Sequence, residues 1–254
     1  MMQTQLIPSA DGAILIDAAC AAQADGVAPQ WFEPAFWRAR GALDETQGGR
    51  GGVGYIDAPC GRSVLRHYRR GGMVARVMGD RYLWTGAERT RGFVEFRLLA
   101  QLHARGLPVP APVAARYRRD GVHYRADLIT RRIAHASTLA ELLALGQCDS
   151  ATATRVGTVL GEFHDAGVYH ADLNAHNILL DANAVWLIDF DRGQLRAPER
   201  SWQLANLARL RRSLIKLGAS RDGETAFERS LWTPLMAAWE ARVSATSPAR
   251  RSHA

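Results

Sequence analysis

The segment VYHADLNAHNILLD at residues 168–181, followed by VWLIDFD at 185–191, constrains the fold more than any other part of the chain. Its short apolar runs predict two strands, and the link at 182–183 predicts that they pair antiparallel. That pairing would bring Asp172, Asn177 and Asp189, which follow the strand ends, toward one patch. Carboxylate and carboxamide oxygens suit Mg²⁺ that also binds substrate phosphates, and an unligated carboxylate accepts a proton from an attacking hydroxyl. The segment therefore predicts a site that binds Mg²⁺ together with the phosphate groups of a substrate.

Length and composition exclude several classes of protein. The 254 residues allow one large domain or two lobes, and the 47% apolar content excludes wholesale disorder. No apolar run approaches the roughly 18 residues that a membrane span needs, and the first residues lack the basic start of a secretory signal. The three cysteines, Cys20, Cys60 and Cys148, form no C-x-x-C pair. We therefore expect neither a disulfide framework nor a cysteine zinc site, and we expect a reducing compartment.

The order of elements predicts an α+β fold with two lobes. Residues 1–40 have the character of an N-terminal appendage, and residues 41–134 are strand-rich with one helix, RGFVEFRLLAQLHARG. In that helix Phe93, Phe96, Leu99 and Leu102 form one apolar stripe. Residues 135–254 are mainly helical, apart from the two short strands described above.

Two motifs resemble the protein-kinase-like fold. HADLNAHN is similar to the catalytic loop H-R-D-L-x-x-x-N, and IDFD is similar to D-F-G. The resemblance implies that Asp172 is the general base and that Asn177 and Asp189 hold Mg²⁺ against the phosphates of ATP. We expect His170 to brace the catalytic loop.

A glycine-rich segment fits the same family. Gly49, Gly51 and Gly54 match G-x-G-x-x-G, and β-type residues follow them. A strand after the glycines favours the kinase form of this motif over the dinucleotide-binding form, in which a helix follows. The glycines would let backbone N–H groups approach the ATP phosphates closely.

Arginine replaces the usual kinase lysine of the first lobe. Arg66 stands in Val64-Leu65-Arg66, where related kinases carry V-A-I-K. A guanidinium group forks to phosphate oxygens, so we expect Arg66 to contact the nucleotide phosphates and to pair with Glu95 of the predicted helix. Arg69 is the alternative if the strand register is shifted.

Two departures from protein kinases bear on the substrate. Ala197-Pro198-Glu199 follows Asp191 too closely to enclose a peptide-binding activation segment, so we predict a small-molecule hydroxyl as acceptor. Asn174 stands where the catalytic loop usually carries lysine. Charge at the transition state would then be neutralised by Arg192 or by the metal ion.

The chain is similar to the bacterial 3-deoxy-D-manno-octulosonic acid (Kdo) kinase family over about residues 48–216. The resemblance lies in VLRHYRRGG, EFRLLAQLHARGLPVPAPVA, ADLITRRI, YHADLNAHNILLD, IDFDRG and WQLANLARLRRSL. It implies ATP-dependent phosphorylation of the 4-hydroxyl of a Kdo sugar on a lipid A precursor, in lipopolysaccharide core assembly. It also implies a peripheral location at the cytoplasmic face of the inner membrane.

The charge pattern agrees with an anionic acceptor. The net charge is +7, and Lys216 is the only lysine among 32 basic residues. Guanidinium groups favour phosphate, carboxylate and anionic membrane surfaces, and Arg209, Arg211 and Arg212 are the candidate acceptor clamp. Because the arginines are spread along the chain, we do not expect nucleic acid as a partner. No obligatory protein partner is indicated either.

Two alternatives remain open at this level. One is a phosphotransferase of the same fold that acts on another hydroxyl, such as that of a heptose or an aminoglycoside. The other is a non-catalytic pseudokinase or basic binding module. The intact set of Asp172, Asn177 and Asp189 argues against the second alternative, because binding alone does not need it.

Overall fold

The computed structural model describes residues 2–23, 29–44, 53–69 and 79–246. The described residues form two compact units. The first comprises those within 1–106 and 110–133, and the second those within 107–109 and 134–254. The first unit is built on a sheet and the second mainly on helices, which confirms the predicted α+β class.

One antiparallel sheet organises the first unit. Its strands run in the order β1-β2-β7-β8-β5-β4-β3, and β6 pairs with β8. The strands are β1 (Thr4–Ser9), β2 (Gly12–Asp17), β3 (Leu43–Asp44), β4 (Val53–Ala58), β5 (Gly61–His67), β6 (Tyr82–Leu83), β7 (Pro112–Asp120) and β8 (His123–Arg131). Gly121, with φ of 59°, lies in the tight turn between β7 and β8, where a side chain would be strained.

Helix α3 (Arg91–Ala104) packs on one face of this sheet. Its predicted apolar stripe is confirmed, because Phe93, Phe96, Leu99 and Leu102 are all buried. Burial of each such side chain contributes about 1.5–3 kcal/mol. Gly92 permits the close approach, since a Cβ there would lie 2.9 Å from the carbonyl oxygen of Asp127.

Residues from the N-terminal 40 cover the other face of the sheet. Strands β1 and β2 extend it beyond β7, and they are followed by α1 (Ala18–Gln23) and α2 (Pro34–Arg38). Trp31, Phe32 and Trp37 are buried in one core with Ile14, Ile16, Ile56 and Ile129. The described part of the segment that we predicted as an appendage is therefore packed into the core of this unit.

The prediction that no disulfide forms is wrong for one pair. Cys20 of α1 is bonded to Cys60 in the β4–β5 turn, with their Cα atoms 5.3 Å apart. The two cysteines are 40 residues apart in sequence, and only the packing of α1 against the sheet brings them together. Cysteine usage therefore no longer supports a reducing compartment.

The second unit consists of helices and two small sheets. Its helices are α4 (Leu139–Ala144), α5 (Ser150–Asp165), α6 (Arg200–Lys216), α7 (Glu224–Phe227) and α8 (Thr233–Thr246). Its strands are β9 (Ser137–Thr138), β10 (Val168–Tyr169), β11 (Ile178–Leu180), β12 (Val185–Leu187) and β13 (Gln194–Leu195). The predicted antiparallel pairing of β11 with β12 is confirmed, β9 pairs with the other edge of β11, and β10 pairs with β13.

Helices α5 and α8 form the central contact of this unit. Gly157 of α5 meets the α8 backbone so closely that a Cβ would lie 2.1 Å from the carbonyl oxygen of Leu235. Asp149 caps the start of α5 by accepting a hydrogen bond from the Thr152 N–H at 2.7 Å. Within the described ranges, every helix falls short of the length and apolarity required to cross a membrane.

Candidate active site

The loop between β10 and β11 carries Asp172 and Asn177, as predicted. The Asp172 side chain is exposed, whereas Asn177 is buried in a single 3-10 turn. The Nδ2 atom of Asn177 donates to the Asp172 carbonyl oxygen at 3.0 Å, which holds the two ends of the loop together. The carboxamide oxygen of Asn177 is then the atom of this group that would bind a cation.

His170 braces this loop, as expected from the sequence. Its Nδ1 accepts a hydrogen bond from the Asp172 backbone N–H at 3.2 Å, and its Nε2 donates to the Ile188 carbonyl oxygen at 2.9 Å. Both contacts fit a neutral ring with the proton on Nε2. Burial lowers the pKa of His170, which favours the same neutral form. One imidazole therefore ties the residue before Asp189 to the backbone of Asp172.

Helix α6 fixes the position of His170 through a residue that the sequence analysis did not identify. Asn206 accepts from the His170 N–H at 3.3 Å and donates to the His170 carbonyl oxygen at 3.1 Å. Nearby, Gln203 donates to the His164 carbonyl oxygen at 3.1 Å. Both amides are buried on the same helix face as Leu207 and Leu210. Polar side chains on an apolar stripe were the available sequence signal.

Asp189 lies two residues beyond the end of β12, whereas the sequence predicted it directly after the strand, and it adopts a left-handed backbone with φ of 61°. The N–H of Ile188 donates to the Asn177 carbonyl oxygen at 3.0 Å, which sets Asp189 beside Asn177 at the end of the β11–β12 hairpin. No three His, Cys, Asp or Glu side chains cluster as a metal site within the described ranges. The donor set is thus one carboxylate and one carboxamide. Such a small oxygen set fits Mg²⁺, which keeps waters and binds substrate phosphates as its other ligands.

The three arginines predicted as an acceptor clamp do not act together. Arg209 of α6 donates from Nη1 to Asp172 Oδ1 at 2.8 Å. Arg211 points to the acidic residues Glu224 and Glu228 instead, with its Nη2 at 2.8 Å from Glu228 Oε1. Arg212 is exposed on the same helix. Arg211 is therefore removed from the predicted clamp, and Arg209 remains beside the carboxylate.

Asn174 and Arg192 occupy different surroundings near the loop. Asn174 Nδ2 donates to the Asp172 carbonyl oxygen at 2.9 Å and lies 3.2 Å from Asp172 Oδ2. Arg192 has a left-handed backbone with φ of 61° and an exposed side chain. Its Nε lies 4.0 Å from Asp191 Oδ2. Arg192 was predicted to neutralise charge at the transition state, and Arg209 to bind the acceptor. Among the described residues, Arg209 contacts Asp172 and Arg192 does not.

The predicted ion pair between Arg66 and Glu95 is present in the first unit. Arg66 of β5 donates from Nη2 to Oε2 of Glu95, which is 2% exposed on α3. The hydroxyl of Tyr68 donates to the same Glu95 oxygen at 2.6 Å, and the Arg66 guanidinium lies over the Tyr68 ring. The partner of Glu95 is therefore Arg66 rather than Arg69. Tyr68 was not predicted as part of this group, although its place two residues after Arg66 puts it on the same strand face.

The predicted glycine-rich loop lies largely outside the described residues. Gly49 and Gly51 are not among them, so their expected contact with phosphates has no structural description. Gly54 lies within β4, opposite Leu65 of β5. A Cβ at Gly54 would approach Leu43 Cδ1 to 2.9 Å, so the Leu43 side chain would have to shift to admit a larger residue there.

Comparisons with known proteins agree with these features. A family model described as the lipopolysaccharide kinase (Kdo/WaaP) family matches residues 34–238. Proteins named 3-deoxy-D-manno-octulosonic acid kinase from Xanthomonas oryzae pv. oryzae and Xanthomonas campestris pv. campestris are each 51% identical over 214 residues, which is 84% of this chain and 84% of each relative. A protein of the same name from Stenotrophomonas maltophilia is 49% identical over the same shares.

One solved structure, titled "WaaP in complex with acyl carrier protein", has a TM-score of 0.43 and 17% identity, and it covers 96% of this chain and 89% of its own. That likeness is too weak to support a conclusion. The family match and the relatives at about 50% identity are sufficient to assign the family. The chain belongs to the lipopolysaccharide kinase (Kdo/WaaP) family, and it is a phosphotransferase that acts on a hydroxyl group.

Proposed function

We propose that this protein transfers the γ-phosphoryl group of ATP to the 4-hydroxyl of a Kdo sugar on a lipid A precursor, in lipopolysaccharide core biosynthesis. The observation that carries the proposal is the Asp172 carboxylate, exposed on a loop that His170 braces. It lies in a chain that is 51% identical to proteins named 3-deoxy-D-manno-octulosonic acid kinase. The acceptor follows from the names of those relatives, which are 3-deoxy-D-manno-octulosonic acid kinases.

The proposed fold is the two-lobed protein-kinase-like one. Residues 41–134 form the first lobe and residues 135–254 form the second. Residues 1–40 precede them in sequence and add β1 and β2 to the sheet of the first lobe. Support comes from the order of elements. A hairpin bearing Arg66 precedes a helix bearing Glu95, and the loop bearing Asp172 precedes the β11–β12 hairpin, after which Asp189 follows.

Asp172 is the general base in this mechanism. The acceptor oxygen forms a bond to the γ-phosphorus as the bond from that phosphorus to the bridging oxygen of ADP breaks, and the hydroxyl proton passes to the Asp172 carboxylate. The exposed position of this side chain supports the role, because an acceptor must reach it. Hydrogen bonds from Asn174 and Asn177 to the Asp172 backbone oxygen orient the carboxylate before the acceptor binds.

Asn177 and Asp189 hold the metal ion. Bound Mg²⁺ would neutralise charge on the transferred phosphoryl group. The chain contributes the position of the two ligands, since the His170 imidazole and the contact of Ile188 with Asn177 fix both backbones. A displacement of either ligand by about 1 Å would weaken catalysis substantially.

Positive charge comes from arginine in both units. Arg66, held by Glu95 and Tyr68, contacts the nucleotide phosphates together with Gly49, Gly51 and Gly54. Arg209 takes over the electrostatic task of the missing catalytic-loop lysine and contacts the acceptor, with Arg192 and Arg212 as further acceptor contacts.

The enzyme acts peripherally at the cytoplasmic face of the bacterial inner membrane. A Kdo-lipid acceptor carries carboxylate and phosphate groups at a membrane surface, and a chain with net charge +7 is attracted to both. The Cys20–Cys60 bond is unusual for a reducing compartment, so this location rests on the acceptor chemistry.

An ATP-turnover assay with three acceptors tests the proposal. Free Kdo, a Kdo-bearing lipid A precursor and a heptose-bearing acceptor lacking Kdo are compared under the same conditions. We expect turnover with the Kdo acceptors only. Turnover with the heptose acceptor alone would assign another sugar hydroxyl, and no turnover with any acceptor would favour a pseudokinase.

A further inference from the structure

A cavity of about 450 Å³ opens in the first unit, away from Arg66 and Glu95. Leu65 and His67 line it, whereas Arg66 between them does not. Side chains alternate between the faces of a strand, so Arg66 points to the face covered by α3 and His67 points to the opposite one. The cavity therefore lies across the sheet from Arg66, on the side of the N-terminal residues Phe32 and Glu33, and Gly54 also lines it.

Cations outnumber anions around this cavity. Five arginines line it against three carboxylates. The arginines are Arg38, Arg69, Arg116, Arg118 and Arg125, and the carboxylates are Glu33, Asp80 and Asp127. The lining is therefore positive by two charges before His67 is counted.

The three carboxylates already form ion pairs or hydrogen bonds with His67 and with two of the arginines. Arg116 pairs with Asp127 at 2.9 Å and with Glu33 at 2.8 Å, and Arg125 pairs with Asp80 at 2.8 Å. His67 lies between the acids, at 2.6 Å from Asp127 and 2.9 Å from Asp80. The hydrogen bond to Asp127 raises the pKa of His67, so the imidazolium form adds to the positive lining.

Of the other three lining arginines, Arg118 and Arg69 are the two that could anchor an anion. Arg118 Nη1 lies 3.5 Å from Glu33 Oε1, the oxygen that Arg116 already contacts at 2.8 Å. Among the described residues, the buried Nε atom of Arg118 has no hydrogen-bond partner. Arg69 forms no ion pair with any residue in the described ranges. A buried guanidinium N–H without an acceptor costs stability, and an anion bound in the cavity would supply that acceptor.

The remaining wall is apolar. Phe32, Pro34, Leu43, Val53 and Leu65 face the same space. Its volume falls within the roughly 300–1,000 Å³ that is typical of small-molecule sites, which combine apolar walls with a few polar anchors. A ligand that fits both parts carries an anionic head and an apolar body.

We propose that this cavity binds a phosphate monoester with an apolar ester group, through the guanidinium groups of Arg118 and Arg69. A phosphate dianion is attracted to this positive lining and offers three oxygens to several donors. The phosphate belongs either to a free ester or to the head group of a lipid. This site is separate from the site of phosphoryl transfer and goes beyond the proposed function.

Phosphorus NMR titration of phenyl phosphate against the full chain tests the proposal. We expect saturable binding that persists in excess MgATP and in Arg66→Ala, because the cavity lies across the sheet from Arg66. Arg118→Gln and Arg69→Gln should each weaken binding about tenfold or more, which corresponds to about 1.4 kcal/mol. Arg69 is exposed, so its substitution gives a readout even if Arg118→Gln perturbs folding.

Arg119→Gln is the matched control. Arg119 is the next residue on β7, donates to the Gly121 carbonyl oxygen at 2.9 Å and lies over the Trp84 ring. The affinity of the Arg119→Gln variant for phenyl phosphate should stay within about twofold of the wild-type value. Loss of binding in MgATP or in Arg66→Ala, or wild-type affinity in both Arg118→Gln and Arg69→Gln, would overturn the proposal.

Vesicle flotation distinguishes the two sources of phosphate. Phosphatidylcholine vesicles are compared with and without phosphatidic acid, for the wild type, Arg118→Gln and Arg119→Gln. Binding that needs phosphatidic acid and Arg118 supports a lipid phosphate, whereas phenyl phosphate binding without it supports a free ester. If the wild type binds neither phenyl phosphate nor phosphatidic acid, the proposal is wrong, whatever the result of the Kdo turnover assay.

Discussion

Arg209 and Asp172 are joined by a hydrogen bond of 2.8 Å between Nη1 and Oδ1, although 37 residues separate them in sequence. Helix α6 thus delivers a cation to the carboxylate that we propose as general base. In the catalytic loop itself, the place of the usual lysine is taken by the neutral Asn174. A charge that other kinases carry on the loop is therefore supplied by tertiary packing in this chain.

Removal of the Arg209 guanidinium should impair acceptor phosphorylation. A charge-assisted hydrogen bond is worth about 1.5–3 kcal/mol, so we expect Arg209→Ala to lower kcat/KM for the acceptor about 10- to 100-fold. Arg209→Lys keeps the charge and should recover part of the loss. Steady-state kinetics with a Kdo acceptor provide the measurement.

Arg211→Ala is the control for charge on the same helix. Arg211 pairs with Glu224 and Glu228, so its removal should lower the melting temperature and leave kcat/KM nearly unchanged. Equal kinetic losses in Arg209→Ala and Arg211→Ala would show that general charge, not the contact with Asp172, matters.

Asp172→Asn should lower kcat about 10²–10⁴-fold, the scale for a positioned proton acceptor. Affinity for ATP should hardly change, because the proposed task of this carboxylate is on the acceptor side. Single-turnover kinetics and nucleotide binding are measured together. Asp181→Asn is the comparison, since Asp181 only caps the β11–β12 turn through the N–H groups of Asn183 and Ala184. A kcat within tenfold of wild type in Asp172→Asn would remove the general-base assignment.

Local patterns were sufficient to predict the elements that carry the site. The apolar stripe of α3 and the β11–β12 hairpin each depend on neighbours in sequence, so periodicity and turn signals identify them. The pairing of Arg66 with Glu95 was also predicted, because the kinase resemblance supplied a tertiary frame. Tyr68, which donates to the same Glu95 oxygen, was not predicted, because the V-A-I-K motif ends at the position of Arg66.

Partners chosen by tertiary packing were not predictable. Cys20 meets Cys60 only because α1 packs on the outer face of the sheet, and Arg211 meets Glu224 and Glu228 only after α6 and α7 have packed together. Periodicity predicts on which side of a helix or strand a residue lies, but it does not predict which residue of another element will contact it. The charged lining of the cavity, from Glu33 to Asp127, was hidden for the same reason.

Asp189→Ala should weaken nucleotide binding only in the presence of Mg²⁺. Water replaces a charged ligand poorly, so both turnover and the Mg²⁺-dependent part of ATP affinity should fall. ATP binding is titrated with and without Mg²⁺ in the wild type and the variant. An unchanged Mg²⁺ dependence in Asp189→Ala would assign the metal ion to another residue.

Arg66 and Glu95 should behave as a coupled pair in ATP use. Arg66→Lys shortens the side chain, so it should reach Glu95 and the phosphates less well and lose about tenfold or more in kcat/KM for ATP. Arg66→Ala should lose more, and Glu95→Ala should share part of that loss. A double-mutant cycle of Arg66→Ala and Glu95→Ala measures the coupling.

Tyr68→Phe separates positioning from charge in this group. It removes the hydroxyl that donates to Glu95 Oε2 at 2.6 Å but leaves both charges in place. We expect a smaller loss than in Glu95→Ala. Additive effects in the Arg66–Glu95 cycle would show that the two residues are not coupled. Full activity in Arg66→Lys would show that the position needs only a positive charge.

Acid should destabilise the protein between about pH 6.5 and pH 4 through His164. This side chain is buried, accepts a hydrogen bond from Trp239 Nε1 at 2.9 Å, and has its pKa lowered by burial from 6.5 to about 4. As the pH falls through this window, His164 becomes protonated in the unfolded chain but stays neutral in the folded chain. The free energy of unfolding therefore decreases. A pKa difference of this size corresponds to roughly 3 kcal/mol at the acid end. Burial lowers the pKa of His170 as well, which acts in the same direction.

Urea unfolding at several pH values across this window, for the wild type and His164→Gln, measures the effect. Glutamine cannot titrate, so His164→Gln should be less stable than the wild type near neutral pH, where the Trp239 contact is disturbed, yet lose less stability on acidification. His103→Gln is the matched control, because His103 is exposed on α3 and should leave the pH slope of the wild type unchanged. If His164→Gln kept the wild-type slope, the proton uptake on unfolding would belong to other groups, and His164 would not be the buried neutral base described here.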